Sequence, residues 1–381
     1  MHMKNIQFAV FNFATFISIS AVNSQLIPFL NESGYTPAQK GWVLGFSALA
    51  SLLFAAVIGW ISDKTGKMKP MFIITTLLFM AAVFASFILT SDLWIKAICV
   101  ILMFGIVKEV MSINETWVFQ LKPKTFGKYH CFSAAGLVSG SLAAGFIYKQ
   151  FNSIGLCILC LSASAISLLC GFFIKEKEAA EKGSISLASM KKLLMNKSYQ
   201  RLLMILFLLM ITGFADQFVV VDKLIALGGD RIAVSVKFAI QSLMEIPIYL
   251  FSAKLFKKFE PSRLLLVAAL MTGVKFVAYG FCATPLWVLI TAALQLFTHP
   301  IIVLTSKLLI QEVTPKQLAA SAQIVGFAIY FGISGFLTPV IGAWLVERFD
   351  FNITCWIFAC IAIIPTWMII KMRKSKENQP A

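Results

Sequence analysis

Apolar residues run along this chain in stretches of roughly 20 or more, broken by short polar turns, and the stretches recur from one end to the other. Each is long enough to cross a hydrocarbon core of about 30 Å as a helix. Twelve such spans are predicted, at 6–30, 41–62, 70–90, 93–121, 127–149 and 153–174, then 201–228, 232–256, 262–284, 285–312, 316–346 and 352–372. The one long polar segment between them, 175–200, separates six spans from six. The pattern therefore predicts an all-α integral membrane protein of two six-helix bundles, 1–174 and 201–381, joined by a cytoplasmic linker at 175–200.

Composition agrees. The 381 residues are 59% hydrophobic and 13% charged, with 35 Phe and a mean hydropathy of +0.85. The net charge of +16 follows from topology. With the N-terminus in the cytoplasm, most Lys and Arg fall in inward segments, and the outward loops hold few, chiefly Lys40, Lys149, Arg231 and Arg348. Both termini are thus expected inside the cell membrane, with no nucleic acid needed to explain the charge and residual affinity for anionic lipid headgroups. The first span is too long for a signal peptide and is read as a retained helix. The eight cysteines lie mostly in apolar segments. Cys157 and Cys160 form a C-x-x-C without acidic or His neighbours, read as buried thiols.

The turn after the second span carries the most specific motif. Gly59, Asp63, Lys64, Gly66, Lys67 and Lys69 are spaced so that Gly59 permits close helix approach, Asp63 caps a helix or pairs with a cation, and Gly66 allows the reversal. These positions resemble the loop between helices 2 and 3 of major facilitator superfamily transporters, with Met68 standing where a second consecutive basic residue is common. The resemblance implies a latch between two bundles. Shifting the second half by about 193 residues sets 251–263 beside 59–70, with Lys257 opposite Lys64, as expected of a twofold repeat. That copy lacks the Asp and both glycines.

Charges inside spans are costly and are functional candidates. Asp222, Lys223 and Lys237 are assigned by position to the outer surface, and Lys275 to a headgroup or acidic partner. Glu115, His130, Asp216, Glu245, His299 and Lys307 remain. Lys108 and Glu115 share a helical face, as do Asn12 and Asn23, Gln241 and Glu245, and Gln295, His299 and Lys307. Such faces predict a hydrated cavity between the bundles. Gly136 and Gly140 give span 5 a thin face for sliding contacts, and Pro247 and Pro339 are candidate bending points.

Several of these residues, with the segment 126–136, are similar to the lactose permease branch of oligosaccharide and proton symporters and to phenylpropionate-type permeases. The resemblance implies substrate binding by Glu115 and Glu245, with His130 in the place of a binding arginine, and proton coupling by Glu245 and by Asp216 paired to Lys307; the polar faces add Asn12 to the substrate-binding candidates and His299 as a proton relay. His130 replaces an arginine of that branch and Leu137 a tryptophan. The expected function is proton-coupled symport of a sugar, nucleoside or aromatic acid by a monomer, with the proton as coupling ion and no other cofactor or metal. A carboxylate in a low-dielectric cavity, Glu245 or Asp216, would hold that proton. A proton-driven multidrug exporter is the alternative, although span 5 lacks the proline of the antiport signature. A membrane sensor is more remote, and no paired metal-ligand spacing points to an enzyme.

Overall fold

The computed structural model describes the backbone of residues 2–65, 67–89, 92–122, 126–175, 193–315 and 318–377. Among the described residues twelve helices cross the molecule. They are α1 (His2–Glu32), α2 (Pro37–Thr65), α3 (Met68–Phe84, continued by a π-helical turn Ala85–Leu89), α4 (Leu93–Leu121), α5 and α6 (126–151 and 153–173), α7 (Lys197–Ala226), α8 (Arg231–Lys258), α9 (Pro261–Phe281), α10 (Pro285–Val313), α11 (Ala319–Arg348) and α12 (Phe351–Glu377). By hydropathy ten stretches qualify as membrane spans. One of them holds both α5 and α6, which divide at Asn152, where φ is +53°. The other difference is α4, whose Lys96, Lys108, Glu109 and Glu115 lower its hydropathy without interrupting the helix. Residues 176–192 of the predicted linker lie outside the described residues, and α7 begins at Lys197, inside that predicted linker.

Because twelve helices alternate in direction, both termini lie at one end, called here the termini end. The turns α1–α2, α5–α6 and α7–α8 lie at the far end. Exposed Trp42, Trp94, Trp287 and Trp344 ring the far end, with Trp60 and Trp367 toward the other, the interfacial belt expected of a membrane protein. Large apolar side chains such as Leu53, Ile158 and Phe172 face outward between those belts, where lipid rather than water is their solvent.

Within the first half, α1 lies along α5. A Cβ added to Gly136 would sit 2.5 Å from the Phe13 carbonyl oxygen, and one on Gly140 2.6 Å from that of Ile17. The contact leaves no room for a side chain and joins helices of the same half, so this pair packs one bundle instead of providing a sliding surface. Between the halves, α2 runs against α11 and α5 against α8. Gly41 and Gly45 let α2 approach the α11 backbone at the far end, where added Cβ atoms would lie 2.8 Å from the Pro339 carbonyl oxygen and 3.0 Å from that of Phe336.

The same face of α2 continues through Ala48 and Leu52 to Gly59, yet a Cβ on Gly59 would meet nothing within 4 Å among the described residues. The two helices diverge along their length, and the halves are joined at the far end and parted along α2 toward the termini end. Of the turn that follows, the side chain of Asp63 and all of Gly66 lie outside the described residues. Lys64 lies over the Trp60 ring, the Lys67 amide donates to Thr65 Oγ1, and Lys69 donates to the Phe172 carbonyl. These contacts stay within the first half; in this conformation none of them latches it to the second.

Candidate functional site between the helical halves

The site grows from one stripe of α8. Lys237, Gln241, Glu245 and Tyr249 follow at intervals of four, so they point the same way toward the interior. Opposite them α10 is broken. Pro300 lacks an amide hydrogen and crowds the preceding turn, and the chain answers with a tight turn at Ala293–Phe297 and a non-helical Thr298 before the helix resumes at His299. The break interrupts the even spacing expected for Gln295, His299 and Lys307. It nevertheless brings Gln295 and His299 to the same carboxylate: Gln295 Nε2 donates to Glu245 Oε1 at 2.9 Å, and His299 Nδ1 lies 3.1 Å from that oxygen.

Asp216 of α7 anchors the deeper part. Lys275 of α9 reaches its Oδ2 at 2.6 Å and Lys237 its Oδ1 at 3.1 Å, while Gln241 Nε2 donates to Oδ2 at 2.7 Å. Lys237 also donates to the Asp216 carbonyl, and Lys275 to Gln295 Oε1. All three charges are buried. Two ammonium groups on one carboxylate, each with a further acceptor, meet the demand that buried charge be paired and hydrogen-bonded.

This corrects two expectations. Lys307 does not pair with Asp216: it lies exposed in the half of α10 beyond the break, within electrostatic reach of Glu115. Lys237, assigned above to the outer surface, is a partner of Asp216, and so is Lys275, for which an acidic partner was one of the two expectations. The signal available was the interval of four that sets Lys237 on the Gln241–Glu245 face. For Lys275 there was only its place deep in a span.

On the first half, Glu115 of α4 and His130 of α5 come together, with Nδ1 3.9 Å from Oε1 and side chains 31% and 28% accessible. Glu245 and His299 are 19% and 29% accessible. Open carboxylates within helices that cross the molecule mark a solvent-reached space between the halves. Tyr249 bridges the two pairs, meeting the His130 ring edge-on at 5.6 Å and lying in electrostatic reach of Glu115 and Glu245. Asn12 does not face this space. It is buried, donates to the Phe8 carbonyl and accepts from Ser133, so it packs α1 on α5 and is spent on structure.

At the far end two polar clusters close the halves together. Lys40 of α2 donates to both carboxylate oxygens of Asp222 of α7 at 2.7 Å, and Asn31 of α1 contacts both residues. Arg231 of α8 binds Glu32, stacks 3.3 Å over the Tyr148 ring and donates to Gln25, and Tyr148 donates to Glu32. Among the described residues no cluster of His, Cys, Asp and Glu has the geometry to hold a metal, and Cys157 and Cys160 are buried free thiols.

Comparison with known proteins places this arrangement. The chain is 21% identical to the maltose permease of Geobacillus stearothermophilus over 383 residues, covering 97% of this chain and 95% of that one. Among solved structures, a point mutant of the nucleoside transporter NupG superposes with a TM-score of 0.84 at 13% identity, covering 97% and 99% of the two chains. A D-xylose-proton symporter superposes with a TM-score of 0.75 at 15% identity, covering 96% and 97%. These proteins are transporters, not enzymes. The model of the MFS_1 like family matches residues 5–358, nearly the whole chain, and the protein therefore belongs to that family of major facilitator transporters.

Proposed function

We propose that the chain imports a small hydroxyl-bearing organic solute, of sugar or nucleoside size, together with a proton, by alternating access. The observation that carries this reading is the divergence along one face of α2, tight on α11 at Gly41 and open at Gly59. With the lysine-rich termini end in the cytoplasm, this conformation is open inward and clamped outward, and both termini lie inside the cell membrane. The chain works as a monomer with membrane lipids around it, and the proton is its only cofactor.

Protonating Asp216 would strand two buried ammonium groups without compensation, which argues for Glu245 or Glu115 as the exchangeable site. Each faces a histidine across a short gap, and each is accessible. Solute bound between these pairs would contact Tyr249 and couple the two halves. Neutralising the carboxylate lowers the cost of closing the inner side over it. Release of the proton and solute into the cytoplasm then leaves the empty carrier to reset.

The test is the pH of a weakly buffered suspension of de-energised cells expressing the chain, pulsed with sugars and nucleosides against a Glu245→Gln control. Alkalinisation that follows one solute and disappears in the variant is expected. Dye extrusion from energised cells, with no solute-linked proton movement, would replace import by drug export.

A further inference from the structure

Lys108, beside Glu109 at the middle of α4, has no part in the proton and solute scheme. It is half-buried, and its ammonium sits 5.4 Å from the Phe104 ring centroid, 5.4 Å from that of Phe214 and 5.2 Å from that of Phe331. Phe104 belongs to its own helix, whereas Phe214 (α7) and Phe331 (α11) belong to the other half. Phe331 lies in the π-helical turn Ala328–Ile333 of α11, a kind of distortion that recurs at functional sites, and packs edge-on against Phe214 at 4.8 Å. Among the described residues Lys108 makes no ion pair within 4.0 Å and no hydrogen bond. Its neighbour Glu109 is about 100° further round the helix and acts on it only through space.

A cation so placed is lined by three rings and keeps water only on its open side. Rings compensate an ammonium in part, but its three N–H donors remain to be used. Every other lysine packed in the interior, Lys40, Lys223, Lys237 and Lys275 among the described residues, is fully engaged by carboxylate, amide or carbonyl oxygens. Lys108 alone among them is held without an oxygen partner, at the junction of the halves.

We infer that Lys108 and its ring cage form the subsite for an anionic group, a carboxylate, on the transported solute. This deepens the transport reading and rests on it. Lys108 and Glu115 share a face of α4, seven residues apart, or about 10 Å along the axis. A solute with its acid at Lys108 would extend toward Glu115, His130 and Tyr249, which offer hydrogen bonds to a hydroxyl-bearing body. The favoured class is thus a sugar acid or comparable hydroxylated carboxylate about 10 Å long. Entry of its acid would draw Lys108 from rings that belong to both halves, and so would loosen their contact at the midpoint as the solute binds.

The test compares matched acids and neutral partners, glucuronate with glucose, galacturonate with galactose and 3-phenylpropionate with its amide. It uses proton-linked uptake by cells and thermal stabilisation of the purified full chain. Expected is that an acid acts and its partner does not. Lys108→Gln should weaken the response at least about 10-fold, the scale of one charge-assisted hydrogen bond, and Lys108→Arg should largely keep it. Neutral solutes acting on the wild-type chain as well as acids do, or Lys108→Gln responding like wild type, would overturn the anion subsite and leave transport standing. Uptake of no member of any pair would overturn the anion subsite, and if the sugars and nucleosides of the alkalinisation test also fail, the transport reading falls with it. The acid-against-neutral comparison on the wild-type chain needs no variant, so it decides the matter even where Lys108→Gln fails to fold.

Discussion

Removing the carboxylate from the far-end clamp should release the outer side of the molecule. In Asp222→Asn, Lys40 loses two charge-assisted contacts of 2.7 Å while remaining buried, its side chain 7% accessible. Stranding a fully buried partner costs about 3–5 kcal/mol. Asp222 is 21% accessible, so water takes up part of that, and about 2–3 kcal/mol is the working figure. If the clamp exists only in this conformation, the ratio of outward-closed to outward-open molecules falls by roughly 30–150-fold. The assay is the rate at which a membrane-impermeant maleimide labels Ala343→Cys, on a background stripped of native cysteines. Ala343 touches Gly41 across the α2–α11 contact, is half-buried here, and becomes more accessible from outside when the far end parts. Labelling should accelerate strongly in Asp222→Asn. Lys149→Ala, which breaks a 3.6 Å pair with Asp230 whose members are 64% and 55% accessible, should change little, as exposed pairs do. An unchanged rate in Asp222→Asn would refute the clamp.

Further outcomes follow from the same geometry. Gly41→Val should drive the far end apart, because even a Cβ would lie 2.8 Å from the Pro339 carbonyl; the maleimide assay reads it directly. Gly59→Leu should leave the thermal midpoint of the purified protein unchanged, since its site is open here, but should slow the transport cycle that brings α2 and α11 together at the termini end. Asp216→Asn should lower the thermal midpoint sharply, by the equivalent of about 3–5 kcal/mol, whereas Asp216→Asn combined with Lys275→Met should recover part of it by removing one stranded ammonium. Tyr249→Phe should keep the fold and weaken solute-linked alkalinisation, because its hydroxyl lies within electrostatic reach of both Glu115 and Glu245.

The helices were legible in the sequence because lipid demands long apolar runs and tolerates charge only where it is paired or faces water. Even α4, with four charged side chains, keeps the length and turn signals of a span, and Asn152 falls where the α5–α6 turn was expected. The pairs Glu115–His130 and Glu245–His299 were named as individual candidates, but their meeting depends on how α4, α5, α8 and α10 pack. The break at Thr298 could not be drawn from an ideal helical repeat, and it decides which oxygens Gln295 and His299 reach. Lys40 and Asp222 are separated by 182 residues, and each reads alone as a solvated helix end. Lys237 was misplaced because distance along a span was taken as depth, when the decisive fact is which helix face meets Asp216; the acidic partner expected as one choice for Lys275 is that same Asp216. Asn12 was misread in the opposite sense: a polar face next to a glycine-packed neighbour is spent on hydrogen bonds within one half.

Alternating access itself is tested most directly by two distances measured in the same protein. Spin labels at Gln39→Cys and Arg348→Cys report the far end of α2 and α11, and labels at Lys64→Cys and Ile324→Cys report the termini end. On adding transported solute at low pH, the first distance should lengthen and the second shorten. Two distances that stay fixed, or that move in the same direction, would contradict a carrier that opens one side by closing the other.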